Sequence, residues 1–261
     1  MKNMNENLYR NTAWLYDLDN RDIVSDDIPF YVDYAKQQNG EILELACGTG
    51  RVSLVLAREG FNITGLDLSN EMLDVFRQKL DNEPQSIKDR INLVHCNMAK
   101  FKFDKKFALI ISPFRAFVSL TDDNDISSAL NCIREHLTDD GIFIVNMFNP
   151  RPVMDESWCY PETVQWERLD ESTGNYVVKK TSGDKIDTEN RIIYASLAYE
   201  VTDKDGNISR HLESLKLKYF YEHQLQTVIE KAGLTVKEKF GWYDKTTIEQ
   251  TKRELIFVCG K

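Results

Sequence analysis

From Ile42 to Asn149 short apolar runs alternate with stretches of helical spacing. Residues 42–45, 63–66, 91–95, 107–112 and 141–149 read as strands, and 51–59, 70–80 and 123–136 as helices between them, the first stopped by Gly60. A strand with one wet face alternates polar and apolar side chains. Leu109-Ile110-Ile111 and Ile142-Phe143-Ile144-Val145 do not alternate, so both of their faces must be covered. Such strands, separated by helices, form a parallel, doubly wound sheet: an α/β, Rossmann-like fold.

The flanks differ. Residues 8–37 read as amphipathic and helical, and Asp26-Asp27 ahead of Pro29 marks a helix start. After Asn149-Pro150 no helix is evident through residue 217. Residues 176–181, 192–202 and 211–218 look like strands with polar alternation, and Asp203-Lys204-Asp205-Gly206-Asn207 is a hairpin turn. This segment reads as an antiparallel β cover inserted after the fifth strand. A helix over 222–232 stops at Gly233, and strands 235–240 and 255–259 follow. The turn-capable, charged link between these two makes the last strand antiparallel in a seven-stranded sheet. The expected organisation is thus 1–150, N-terminal helices and core; 151–217, the cover over the substrate site; and 218–261, the last helix and final strands.

With 42% hydrophobic and 11% aromatic residues the chain can bury a core. Its net charge of −9 repels phosphate backbones and anionic lipid, so neither nucleic acid nor membrane is an expected partner. No apolar run is long enough to span a bilayer, and the opening Met-Lys-Asn-Met-Asn-Glu-Asn lacks the apolar segment of a secretory signal. Cys47, Cys96, Cys132, Cys159 and Cys259 are scattered, which suits reduced thiols better than disulfides or a zinc site. A cytoplasmic location with no bound metal is expected.

The chemistry-bearing motif is Glu44-Leu45-Ala46-Cys47-Gly48-Thr49-Gly50-Arg51, between a strand and a helix. Gly48 and Gly50 allow a sharp turn and a close approach of backbone to ligand, facing a helix N-terminus. Asp67 closes the next strand, where a carboxylate can accept both hydroxyls of a ribose; Ser69 already serves as the N-cap of the helix that follows. Together these indicate a nucleoside site. A dinucleotide fingerprint would need a third glycine where Ser53 stands.

The segments Glu44-x-x-x-Gly48-x-Gly50 and Gly65-Leu66-Asp67-Leu68-Ser69-x-x-Met72-Leu73 resemble the first two motifs of class I S-adenosylmethionine-dependent methyltransferases. The likeness extends from Asp27-Ile28-Pro29-Phe30-Tyr31 to Phe114-Arg115-Ala116-Phe117, and resumes at Leu217-Lys218-Tyr219-Phe220-Tyr221 and Lys231-Ala232-Gly233-Leu234. It is strongest to a small-molecule branch that includes amino-sugar N,N-dimethyltransferases and glycine N-methyltransferase-like enzymes. The resemblance implies S-adenosylmethionine as cofactor. It implies that Glu44, Ala46, Gly48 and Gly50 shape the pocket for the methionine moiety and ribose, and that Asp67 holds the ribose hydroxyls. Leu68 and Met72 would sandwich adenine, Asn97 and Met98 meet its edge, and Pro113 and Phe114 lie by the sulfonium. Tyr16 and Arg21 would close over the methionine end. Three positions depart from the pattern: Ala46 replaces a glycine, Asn97 an aspartate, and Ser119 a histidine.

Methyl transfer from a sulfonium is an in-line displacement, so catalysis is largely placement of the acceptor in a water-free site. The expected acceptor is a small molecule, its nitrogen attacking unprotonated; an oxygen acceptor is the alternative. His211, Tyr243 and Asp244 are the candidate catalytic groups, with His223 and Tyr160 behind them. Trp158, Tyr160, Trp166, Trp242 and Tyr243 are candidates for an aromatic acceptor pocket that would hold an aminium, or equally for the cover's own small core, the favoured reading for Trp166. A silent S-adenosylmethionine-binding protein and a nicotinamide-dependent oxidoreductase are the remaining readings.

Overall fold

The computed structural model describes residues 9–19 and 25–261. In chain order, a 3-10 turn at Ala13–Leu18 is followed by α1 (Ile28–Gln38), β1 (Ile42–Leu45), α2 (Arg51–Arg58), β2 (Ile63–Asp67), α3 (Asn70–Asp81), the short α4 (Gln85–Lys88) and β3 (Ile91–His95). Then come β4 (Phe107–Ser112), α5 (Asp123–His136), β5 (Leu137–Phe148), β6 (Tyr160–Leu169), β7 (Tyr176–Asp187), β8 (Ile192–Thr202) and β9 (Ile208–Lys218). The chain ends with α6 (Glu222–Lys231), β10 (Thr235–Phe240), the short α7 (Ile248–Thr251) and β11 (Glu254–Gly260).

Successive residues of the central strands point to opposite faces, and both faces are dry. Leu43, Ile110, Phe143, Val145 and Phe257 pack with Ile126, Leu130 and Ile133 of α5 and Leu225 and Ile229 of α6. Their neighbours Ile42, Leu109, Ile111, Ile144 and Val258 pack instead with Phe30, Tyr31 and Tyr34 of α1 and Val52 and Leu56 of α2. The sheet is therefore doubly wound, in the order β10-β11-β5-β4-β1-β2-β3. Strands β1 to β5 run parallel, and β11 is antiparallel to β5 and β10, as the link before it implied. The order reverses between β1 and β4, and the carboxyl ends of strands at such a switch point open onto a crevice.

Over that crevice lies a second sheet, the antiparallel meander β6-β7-β8-β9. It has one strand more than expected. Strand β6 escapes a periodicity search because it is an edge strand with Trp166 its one buried residue. The long helical stretch expected over 8–37 is also corrected. Among the described residues of this stretch the α-helix is Ile28–Gln38, and residues 13–18 form a 3-10 turn. Side-chain bonds to two neighbouring elements, described below, hold that turn in place of a continuing α-helix.

Candidate functional site

Between Leu45 and Arg51 the chain must turn from the sheet into α2. It does so through three left-handed residues, Ala46 (φ 54°), Gly48 (φ 54°) and Gly50 (φ 82°). A Cβ on Gly50 would stand 2.3 Å from the Phe76 ring, so this glycine is required sterically. At Gly48 a Cβ would meet nothing within 4 Å. There the requirement is conformational, and the backbone is open to a ligand. Ala46 adopts the same left-handed geometry at a cost of about 1–2 kcal/mol, which explains why a glycine is usual there.

Asp67 ends β2 beneath this turn, 9% exposed. Its Oδ2 accepts the Gly48 N–H and its Oδ1 the Ser69 N–H, each at 2.8 Å. Burial raises its pKa, and the N–H groups of Ser69, Gly48 and Leu68 pull it back. The carboxylate keeps acceptor capacity for a ligand hydroxyl. Ser69 caps α3 by accepting the Met72 N–H at 3.2 Å, which fixes Met72 on the same wall. Asn97 turns the chain after β3, its Oδ1 accepting the Ala99 N–H at 2.8 Å.

Residues 9–19 wall the crevice from the side. Asp17 accepts from Thr49 Oγ1 of the glycine loop (2.7 Å) and from Lys79 Nζ of α3 (2.8 Å). Glu213 of β9 accepts the Asn11 N–H (2.8 Å) and Thr12 Oγ1 (3.2 Å). Tyr9 and Tyr16 meet edge to face at 5.5 Å; burial, then the charges of Glu213 and Asp67, push the Tyr9 hydroxyl up to about 12. At the start of α2, Arg51 forks onto buried Asp27 with two bonds of 2.6 Å and lies over the Phe114 ring at 5.0 Å. Glu44 accepts from Ser53 Oγ, and burial pushes its carboxyl up to about 8, so it holds a proton at neutral pH.

The turn after β4 carries two consecutive left-handed residues, Phe114 (φ 50°) and Arg115 (φ 63°). Asn146 of β5 accepts the Arg115 N–H at 2.8 Å. Buried Glu254 of β11 takes the Arg115 guanidinium and the Asn146 amide (2.8 Å). Backbone strain is thus supported by two buried side chains from neighbouring strands.

These loops enclose a cavity of about 670 Å³. Tyr16, Glu44, Ala46, Gly48, Asp67, Leu68, Met72, Asn97, Met98, Pro113 and Phe114 line it, and Gly50 supports the turn from below. Arg21 lies outside the described residues. His211, Tyr243 and Asp244 do not line the cavity, which corrects their expected catalytic placement. His211 rests against Trp14 and Ser209 on the cover. Tyr243 is buried among Phe30, Tyr31 and Trp242 behind the sheet. Asp244 is exposed and caps its own turn through Thr246.

None of the five candidate aromatics lines the cavity, which corrects the acceptor-pocket reading, whereas the cover-core reading of Trp166 holds. Trp166 belongs to the cover's own core with Leu15, Val177, Tyr199 and Val201, while Trp242 stacks under Arg253. The side of the cavity under the cover is formed by Gln165, Lys179, Leu197, Leu215 and Leu217, with Tyr9, Asp19 and Phe148 beside them. Sequence reasoning missed these residues. No spacing announces them, because the inner face of a cover is defined by what it covers.

A methyltransferase-domain family matches residues 42–141, the span from β1 to the early part of β5. The chain is 26% identical over 205 residues to a dTDP-3-amino-3,6-dideoxy-alpha-D-glucopyranose N,N-dimethyltransferase from Streptomyces fradiae, covering 75% of this chain and 70% of the relative. Among solved structures it is similar to the CcbJ methyltransferase from Streptomyces caelestis, with a TM-score of 0.78, 22% identity and 98% and 99% of the two chains covered. It is likewise similar to an S-adenosylmethionine-dependent methyltransferase from Clostridium acetobutylicum, with a TM-score of 0.76, 19% identity and 97% and 98% covered. The matched domain, the strand order with its antiparallel last strand, and an acidic side chain braced against a glycine turn agree with one another. Residues 42–141 carry a methyltransferase domain, and the chain has the fold of the S-adenosylmethionine-dependent methyltransferases and resembles the amino-sugar N,N-dimethyltransferases.

Proposed function

We propose that the protein methylates an amine nitrogen of a small molecule held between the glycine-loop side of the cavity and the underside of the cover. One observation carries this reading. A single cavity joins Asp67 and the glycine turn to the inner face of the four-stranded sheet, so cofactor and acceptor share one enclosed space. The three segments act accordingly: 1–150 bind the cofactor, 151–217 cover the acceptor, and 218–261 complete the sheet.

The residues present suit S-adenosylmethionine. Gly48 leaves open space for close approach, and Asp67 has acceptor capacity left for ribose hydroxyls. Leu68 and Met72 would flank the adenine, Asn97 and Met98 its edge. Glu44, Ala46 and Tyr16 would bound the methionine end, with Pro113 and Phe114 beside the sulfonium. When bound, the cofactor would supply a methyl group on a sulfonium, which an amine lone pair could take with loss of a neutral thioether, the new ammonium giving up its proton once released.

The chain's own contribution is placement and exclusion of water. Residues 9–19, pinned to the glycine loop and to Glu213, close the side of the cavity. An amine that arrives neutral needs no strong base. An oxygen acceptor would need one, and Ser119 instead donates its hydroxyl to the Ala116 carbonyl at 2.9 Å; among the described residues no histidine lines the cavity. The cavity holds Asp17, Asp19 and Asp67, which disfavours nucleic acid as the acceptor.

The test is incubation with methyl-labelled S-adenosylmethionine and a panel of small primary and secondary amines and alcohols. Label on nitrogen is the expected result. Label confined to hydroxyls, to tRNA or to folded protein would overturn the reading, as would tight cofactor binding without transfer to any small molecule.

A further inference from the structure

We infer that the acceptor presents an apolar face to the cover and carries no phosphate into the cavity. This inference rests on the amine-methylation reading above and narrows the class of amine.

The first observation is the wall itself. Leu197, Leu215 and Leu217 stand on the inner face of β8 and β9, with Phe148 at the end of β5 and Val118 after β4 completing an apolar surface. Of the polar cover residues, Gln165 and Lys179 reach the same space from β6 and β7. An acceptor polar on every side would have to desolvate its hydroxyls against leucine with no partner offered, at a cost of roughly 1–3 kcal/mol each. An acceptor with an apolar face gains by burying it there.

The second observation is charge. Among the described residues three cations line the cavity, and each is engaged by a carboxylate. Arg51 forks onto Asp27, Arg115 is held by Glu254, and Lys179 lies 3.5 Å from Asp19. Asp67 lines it in addition, and Asp17 does so paired with Lys79. A diphosphate entering this space would meet no cationic excess among the described residues and would be repelled by Asp67. Space agrees with charge. A drug-sized ligand commonly takes a pocket of about 300–1,000 Å³, and this cavity of about 670 Å³ must house cofactor and acceptor together. A nucleotide-linked sugar, such as the substrate named for the Streptomyces fradiae relative, does not match it.

The experiment compares one amino sugar in three forms on the protein loaded with S-adenosylmethionine: the dTDP-linked 3-amino-3,6-dideoxyglucose, its methyl glycoside and its phenyl glycoside. Calorimetry reads binding and labelled methyl reads transfer. The phenyl glycoside is expected to bind most tightly, and both glycosides at least about tenfold more tightly than the dTDP form. Leu215→Asn should erode the preference for phenyl over methyl by about tenfold, with cofactor affinity as the check that the variant is folded. Equal or tighter binding of the dTDP form would overturn the inference, and so would failure of all three to bind. Binding of the phenyl glycoside without methylation of its nitrogen would instead overturn the amine-methylation reading and leave the preference for an apolar, phosphate-free acceptor standing.

Discussion

Replacing Asp67 by asparagine keeps the side chain's shape and removes its charge, which separates its two duties. Both carboxylate oxygens accept backbone N–H groups, from Gly48 and Ser69, at 2.8 Å each. An amide offers one oxygen and one NH2, so one of those two donors must face another donor. Leaving a buried N–H unsatisfied costs about 1–3 kcal/mol, and that loss should appear in urea unfolding of the ligand-free protein. Asp67→Asn also removes the charged acceptor offered to the ribose hydroxyls. A hydrogen bond to a charged group contributes about 1.5–3 kcal/mol, so Kd for S-adenosylmethionine should rise roughly 10- to 150-fold in calorimetry. Asp67→Ala should cost more stability, because both N–H groups then lose their partner. The informative pattern is the pair of measurements. Lowered stability with unchanged affinity would make Asp67 a brace for the glycine turn alone, and the assignment of the ribose site to it would be refuted.

Ala46→Gly relieves about 1–2 kcal/mol of left-handed strain and adds about 0.4–1 kcal/mol of unfolded-chain entropy, so a net gain of roughly 0.5–1 kcal/mol is expected in urea unfolding. Glu254→Gln should lower stability by about 1–3 kcal/mol by weakening the support of the Phe114-Arg115 turn; transfer rate should fall more than cofactor affinity, and equal loss of both would argue against that role. Glu44 takes the opposite sign from a surface carboxylate. Its pKa rises from 4.5 to about 8 on folding, so in that window the folded chain holds a proton the unfolded chain has released. Stability should therefore fall as pH rises from about 4.5 to about 8, and Glu44→Gln should flatten that slope in unfolding curves taken across the range.

The doubly wound core was legible because its cause is local. Ile42, Ile110 and Val145 sit in runs that are apolar on both strand faces, and a parallel sheet with helices on both faces covers such runs. The glycine turn and Asp67 were legible for a related reason: backbone geometry there permits few residue types, so the side chains report it. Ser69 as N-cap is a third case, bonded as the sequence implied. Strand β6 was not legible, since an edge strand exposed on both sides has no period to detect. Nor were the acceptor-side residues. Lys179 and Leu215 lie on strands whose alternation shows that one face is buried but not what it is buried against. The candidates His211, Tyr243 and Asp244 were chosen by side-chain chemistry alone, and tertiary packing directs all three away from the cavity. Tyr243 fills the layer between α1 and the sheet, a structural use of an aromatic that no spacing distinguishes from a functional one.

The aromatic side of the cavity turned out to come from the N-terminal segment, and this changes how cofactor and acceptor sites relate. Tyr9 and Tyr16 belong to a stretch tied at Asp17 to the glycine loop and α3, and at Asn11 and Thr12 to Glu213 of the cover. Its Leu15 completes the small core that Trp166, Val177 and Tyr199 form in the cover. Residues 9–19 are thus a shared wall, bonded to the element that shapes the cofactor site and to the element that roofs the acceptor. Packed walls of this kind transmit displacement, because side chains at interior density cannot shift without moving their neighbours. A ligand beside the glycine loop would touch Tyr16 and Asp17, and Leu15 and Glu213 join the same segment to the cover.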